Sequence, residues 1–137
     1  MTTTLTQTNE QTALRAIALI AGNDRGPAAE EIIHPEFTGH RLGVTGVDGF
    51  REMVRMVNTT FADITITPLD VIATEDKVVV RTRFAALHVG VLKGTFAASD
   101  RTVEAGQIHI WELEDGRIRD HWLCMDEFDV LRQIGAV

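Results

Sequence analysis

The side chains best grouped to do chemistry together fall in one stretch, QIHIWELEDGRIRDHWLCMD, residues 107–126. It holds two of the five histidines, both tryptophans and the single cysteine. Imidazole is the side chain that exchanges protons near neutral pH, so His109 and His121 direct attention to proton transfer. Asp120 and Asp126 are the nearby carboxylates, and Asp126 also reads as the N-cap of a short helix. Cys124 beside Trp122 reads as a small hydrophobe, since no Cys–His pattern surrounds it. Metal binding is not expected, because His34, His40, His88, His109 and His121 form no HxH or HxxxH pair.

Two hairpin registers are open for this stretch. If Glu114–Asp115–Gly116 forms a three-residue loop, residue 109 faces 121 and residue 107 faces 123. Gln107, His109, Trp111, His121 and Leu123 then share a face suited to a pocket. Ile108, Ile110, Ile118, Trp122 and Cys124 share the other, which is suited to burial. If Asp115–Gly116 is instead a two-residue type I′ turn, residue 109 pairs with 122, and His109 joins Trp122 and Cys124.

The elements that must position these residues follow from periodicity. Thr8-Asn9-Glu10-Gln11 has capping-box spacing ahead of a helix with Ala13, Leu14, Ile17, Ala18 and Ala21 on one face and Gly22 as its stop. Residues 1–8 would be a flexible leader. Pro27 opens a brief second helix through Ile32 and Ile33, closed by Pro35. Phe50, Met53, Val54 and Val57 fall at helical spacing and define a third helix after a glycine-containing loop. From Ile64 onward β-branched residues dominate: ITITPLDVIAT and KVVVRTRFAALHVG make one long hairpin, and RTVEAGQIHIWELE and RIRDHWLCM a second. Asp126 caps a last helix ended by Gly135. The expected architecture is α+β, a curved antiparallel sheet wrapped around three N-terminal helices as a cone-shaped barrel.

The 137 residues suit one domain, residues 1–137. A net charge of −7 gives no footprint for nucleic acid or an anionic membrane surface. MTTTLTQTNEQ lacks a signal-peptide pattern, and one cysteine fits a reducing compartment, so the expected location is the cytoplasm.

IHPEF, TGVDGFREMVRMVNTTFADITI, HVG with a later Gly and DR, QIHIWELEDGRIRDH and DVLRQIG occur in an order that resembles the SnoaL-like polyketide cyclases of the nuclear transport factor two-like superfamily. The resemblance spans roughly Ile32 to Gly135. It implies an α+β barrel, usually a homodimer, whose open end holds a polycyclic aromatic polyketide. It also implies an aldol closure assisted by an aspartate in the last strand and a histidine in the strand before. By position the histidine is His109, and the aspartate falls on Leu123, which cannot carry a proton. The first register is preferred because it brings these two positions together; under it Asp120 and Asp126 have the wrong parity to substitute.

Some family members without the aspartate are associated with hydroxylation of anthracycline-type aglycones, with a reductase and without bound cofactor. The leading expectation is therefore a cofactor-independent hydroxylase, using dioxygen and an external reductant or a short-chain reductase partner. An aldol cyclase with His109 or Asp126 as a relocated acid/base is the alternative, and a non-catalytic binding module a third. Substrate contacts are expected from Gln107, Trp111, His121, Leu123, Arg83, His88 and Met53. Two other chemistries of the superfamily fit poorly: steroid isomerisation lacks its tyrosine, since the chain has none, and an Asp-Arg-Asp epoxide hydrolase centred on Arg83 lacks inward aspartates.

Overall fold

The computed structural model describes residues 4–137. Along the chain run α1 (Leu5–Ala21), α2 (Ala28–Ile32), β1 (Ile33–Gly39), β2 (Val44–Thr45), α3 (Gly46–Thr60), β3 (Phe61–Ala73), β4 (Lys77–His88), β5 (Thr102–Glu114), β6 (Arg117–Met125) and α4 (Glu127–Gln133). One six-stranded sheet has the order β2-β1-β6-β5-β4-β3. No described helix is long and apolar enough to cross a membrane.

Helix α1 starts a turn before Thr8. Thr4 Oγ1 accepts from the Gln7 N–H at 3.2 Å, and Gln7 Oε1 accepts from the Thr4 N–H at 2.8 Å, so glutamine closes the capping box. Residues 5–8 are thus helical rather than a loose leader, and residues 1–3 lie outside the described part. The buried stripe is Ala13, Ala16, Ile17 and Ile20, with Ala18 exposed, so the helix is rotated from the expected face. Helix α3 buries Phe50, Met53 and Val54 as its spacing predicts. Together α1 and α3 cover the inner face of the sheet, where Phe37, Val78, Val80, Trp111 and Ile118 complete the main core. A second cluster of Phe61, Phe84, Val103 and Ala105 is closed by Val130 and Ile134 from the C-terminal segment.

The sheet is not wholly antiparallel. IHPEFTG, read as helix end and loop, is strand β1, and it pairs parallel to β6 with Gly39 opposite His121. Pro35, which has no N–H to give a ladder, sits where the β1–β6 register shifts between Ile33 and Thr38. Register also shifts in β3 after Ala62, where Asp63 has φ +53°, and after Pro68. Such bulges bend and twist a sheet, and here they wrap β3 and β4 over the helices.

Between β5 and β6 neither expected register is found. Asp115 and Gly116 both have positive φ, 53° and 76°, the signature of a two-residue type I′ turn, and Glu114 pairs with Arg117. The register then shifts by one residue, so that Leu113 faces Ile118 but Glu112 faces Asp120. Arg119 is the extra residue. The bulge puts His109 opposite Leu123 and Trp111 opposite His121. The proposed grouping of Gln107, His109, Trp111, His121 and Leu123 on one face is therefore found, though by another pairing. That face is the inner one. Ile108, Trp122 and Cys124, expected to be buried, lie exposed on the outer face, whereas Ile118 turns inward and is fully buried.

Candidate active site

Between the helices and the inner face of the sheet lies a cavity of about 190 Å³. Ile20 of α1 and Met53, Met56 and Val57 of α3 form its helical wall; Phe61, Ile66 and Phe84 line it from β3 and β4. β5 and β6 contribute Gln107, His109, His121, Leu123 and Met125. The enclosure is mostly apolar with a few convergent polar groups, the ordinary composition of a small-molecule site. The described residues contain no cluster of three or more His, Cys, Asp or Glu side chains able to hold a metal ion.

The polar groups form one chain. Thr82 Oγ1–H donates to Gln107 Oε1 at 3.0 Å, and His109 Nε2 lies 3.0 Å from the same oxygen. A carbonyl oxygen only accepts, so His109 carries its proton on Nε2. Its Nδ1 is then a lone pair, and it accepts from His121 Nε2–H at 2.9 Å. This leaves His121 Nδ1 as the free lone pair of the couple, buried and without a partner among the described residues. Gln107 Nε2 completes its bonding on Met125 Sδ at 3.5 Å. Trp111 holds the rings in place, stacked on His121 with centroids 3.8 Å apart and on His109 at 5.7 Å.

Both imidazoles are neutral at physiological pH. Burial pushes His109 down to about 4, with the Arg41 charge adding to the effect. Burial likewise takes His121 well below its ordinary value, helped by His109, Arg41 and His40. A neutral buried imidazole is a base with an open lone pair; once protonated it is a strong acid.

The remaining expected residues separate by position. Met53 and Leu123 line the cavity. Trp111 is fully buried but backs the histidines instead of facing the cavity. His88 is buried elsewhere: its Nδ1 accepts from the Ser99 N–H at 3.2 Å and pins the β4–β5 connection. Arg83 is a correction, because even-numbered residues of β4 point inward and Arg83 points out, paired with Glu104. Asp126 caps α4 by accepting from the Asp129 N–H at 3.1 Å and borders a second groove of about 590 Å³, which Gln107 and Met125 also line but His109 and His121 do not.

The two charged residues lining the cavity, Arg41 and Lys93, have no counterpart in the sequence reading. Both sit in connections with no periodic pattern. Lys93 holds φ +53° beside Gly94 at the tip of a turn closed by Leu92 and Phe96. Gly90 anchors the same connection: a Cβ there would lie 2.2 Å from the Thr59 carbonyl oxygen, so only glycine lets it lie against α3.

The family model described as SnoaL-like polyketide cyclase matches residues 11–134. Nogalonic acid methyl ester cyclase from Streptomyces nogalater is 31% identical over 113 residues, 77% of this chain and 82% of that protein. Among solved structures, TsrD from Streptomyces laurentii superposes with a TM-score of 0.85 at 30% identity, covering 95% of this chain and 96% of its own. AclR from Streptomyces galilaeus, a candidate hydroxylase, shares the fold with a TM-score of 0.77 at 16% identity, covering 96% and 98%.

Proposed function

The chain belongs to the SnoaL-like polyketide cyclase family, and on that premise we propose that it closes a ring in a polyketide-type substrate, with the His109–His121 couple as its acid/base. The observation that carries this reading is the free, buried lone pair on His121 Nδ1, coupled through His109 to Gln107 and Thr82. His121 Nδ1 takes a proton from the carbon beside a substrate carbonyl. Its Nε2 proton passes to His109 Nδ1, and the charge spreads over the pair while Gln107 accepts from His109 Nε2–H. The enolate carbon attacks a second carbonyl, forming the new C–C bond. The resulting alkoxide takes the proton back from the imidazolium, so substrate and product have equal mass. Low basicity serves the second half of this cycle, because an imidazolium formed in an apolar cavity gives up its proton readily.

Leu123 favours a second reading. It lies directly opposite His109 and lines the cavity, at the position where the resemblance places the cyclase aspartate. Hydroxylation would use the same couple to deprotonate a phenol or dihydroquinone. Dioxygen would supply one oxygen atom to the product, the other would leave as water, and an external reductant or short-chain reductase would supply two electrons. The carboxylate-free wall suits an electron-rich guest held away from water.

A panel of enolisable polyketide, naphthoquinone and anthraquinone intermediates, incubated with the protein and a quinone reductase under labelled dioxygen, separates the two. Conversion at unchanged mass, lowered roughly 10²–10⁴-fold by His121→Gln, is the expected result. Protein-dependent gain of one labelled oxygen would replace cyclisation by hydroxylation, and turnover untouched by His109→Gln and His121→Gln would overturn both.

A further inference from the structure

The chain has 20 acidic and 13 basic residues, yet the charged side chains lining the cavity are cations, Arg41 and Lys93. Their side chains are 25% and 48% exposed and, with the exposed Leu42 and Met56 of the same wall, they lie toward its mouth. Both reach the same oxygen: Lys93 Nζ lies 2.6 Å from Glu127 Oε1, and Arg41 Nη2 pairs with it too. Glu127 itself does not line the cavity. Hydrogen bonding from Lys93 and the nearby Arg41 charge hold its carboxyl below the usual range. Arg41 also donates to the Leu123 carbonyl oxygen at 3.5 Å, which ties it to the strand that carries His121.

Two cations converging on one carboxylate oxygen form a carboxylate-binding geometry, and its occupant is a part-exposed surface side chain, whose ion pairs are worth little. A ligand carboxylate held at the cavity mouth would gain more from the same two donors, because its body shields them from water. We propose that Arg41 and Lys93 are the carboxylate seat of the substrate and that Glu127 occupies it in the closed form. The substrate is accordingly an acid. It is also compact: about 190 Å³ is smaller than the roughly 300–1,000 Å³ of pockets for drug-sized ligands, and fits one or two fused rings. The S. nogalater relative is named for a methyl ester, in which that charge is masked. The proposal rests on the reading that this cavity is the active site.

Calorimetric titration with 2-naphthoate and with methyl 2-naphthoate tests it. The acid is expected to bind about tenfold tighter than the ester, the order of one charge-assisted hydrogen bond. Arg41→Gln with Lys93→Met should abolish that preference, weakening acid binding about tenfold more than ester binding. Glu127→Ala separates a seat from a mere clasp: removing a competitor strengthens acid binding selectively, whereas loosening a clasp weakens acid and ester alike. An acid that binds no better than its ester, neither binding included, overturns the seat, as does a preference that survives the double substitution. His121→Gln keeps the acid preference and loses turnover, so failure of the seat and failure of the acid/base couple give different results.

Discussion

The β5–β6 hairpin buries Trp111, Leu113 and Ile118 as ordinary core at its turn end, but inverts the usual alternation of strands at the cavity end. Inward point Gln107, His109 and His121, each 6% exposed or less, while outward point Ile108 at 46% and Trp122 at 37%. A half-buried antiparallel sheet ordinarily does the opposite. The inward polar groups are tolerable because all but the His121 Nδ1 lone pair satisfy one another: Thr82, Gln107, His109 and His121 form one chain of hydrogen bonds, its histidines stacked on Trp111. The outer apolar side chains need no such arrangement, and Trp122 merely stacks on His40, ring centroids 4.5 Å apart. Trp111, Leu113 and Ile118 make this face the inside, and hydrogen bonding among Thr82, Gln107, His109 and His121 lets polar groups share it.

That contrast can be broken from the inside. Trp111→Ala removes the fully buried ring behind both histidines and should cost about 3–5 kcal/mol in urea denaturation. Gln107→Leu leaves the Thr82 hydroxyl and the His109 Nε2–H without their acceptor, and about 1–3 kcal/mol of stability should go with it. Both losses belong to the inner face.

The same contrast sharpens with pH. His109 falls from 6.5 to about 4 on folding, so between these values the unfolded chain binds the extra proton. Stability from this group is complete above about pH 6.5 and is lost as pH falls toward 4. Between pH 7 and 5 the native chain should lose about 2 kcal/mol more than His109→Gln, since surface carboxylates titrate alike in both. The smallest effect belongs outside: Ile108→Thr should stay within about 0.5 kcal/mol of the native chain in the same denaturation.

Much of this arrangement was legible beforehand. The long strands β3 to β6 announced themselves by β-branched runs, α3 by its Phe50, Met53, Val54 spacing, and α4 by Asp126. Strand β1 was not, because IHPEFTG carries a proline and only two large apolar residues, and its partner β6 lies some 80 residues away. The bulge at Arg119 left one usable trace. Ile118 and His121 are three apart, so a regular strand cannot turn both inward, yet both are buried. Ile118 in the core demands the extra residue. The histidine relay was half visible, since the residues of the inner face were grouped correctly, but the 2.9 Å contact between the rings depends on the bulge. Arg41 and Lys93 left no sequence signal, because loops bring them together only through tertiary structure.

Proton transfer through this couple requires both rings to be neutral at rest. Long-range proton–nitrogen correlation spectra of the histidine side chains from pH 8 down to pH 4 report tautomer and charge directly. His109 and His121 should both appear as neutral Nε2–H tautomers, His109 taking up its proton only near pH 4 and His121 remaining neutral well below pH 6.5. Either ring titrating near 6.5, or His109 protonated on Nδ1 at neutral pH, would contradict the relay and the function built on it.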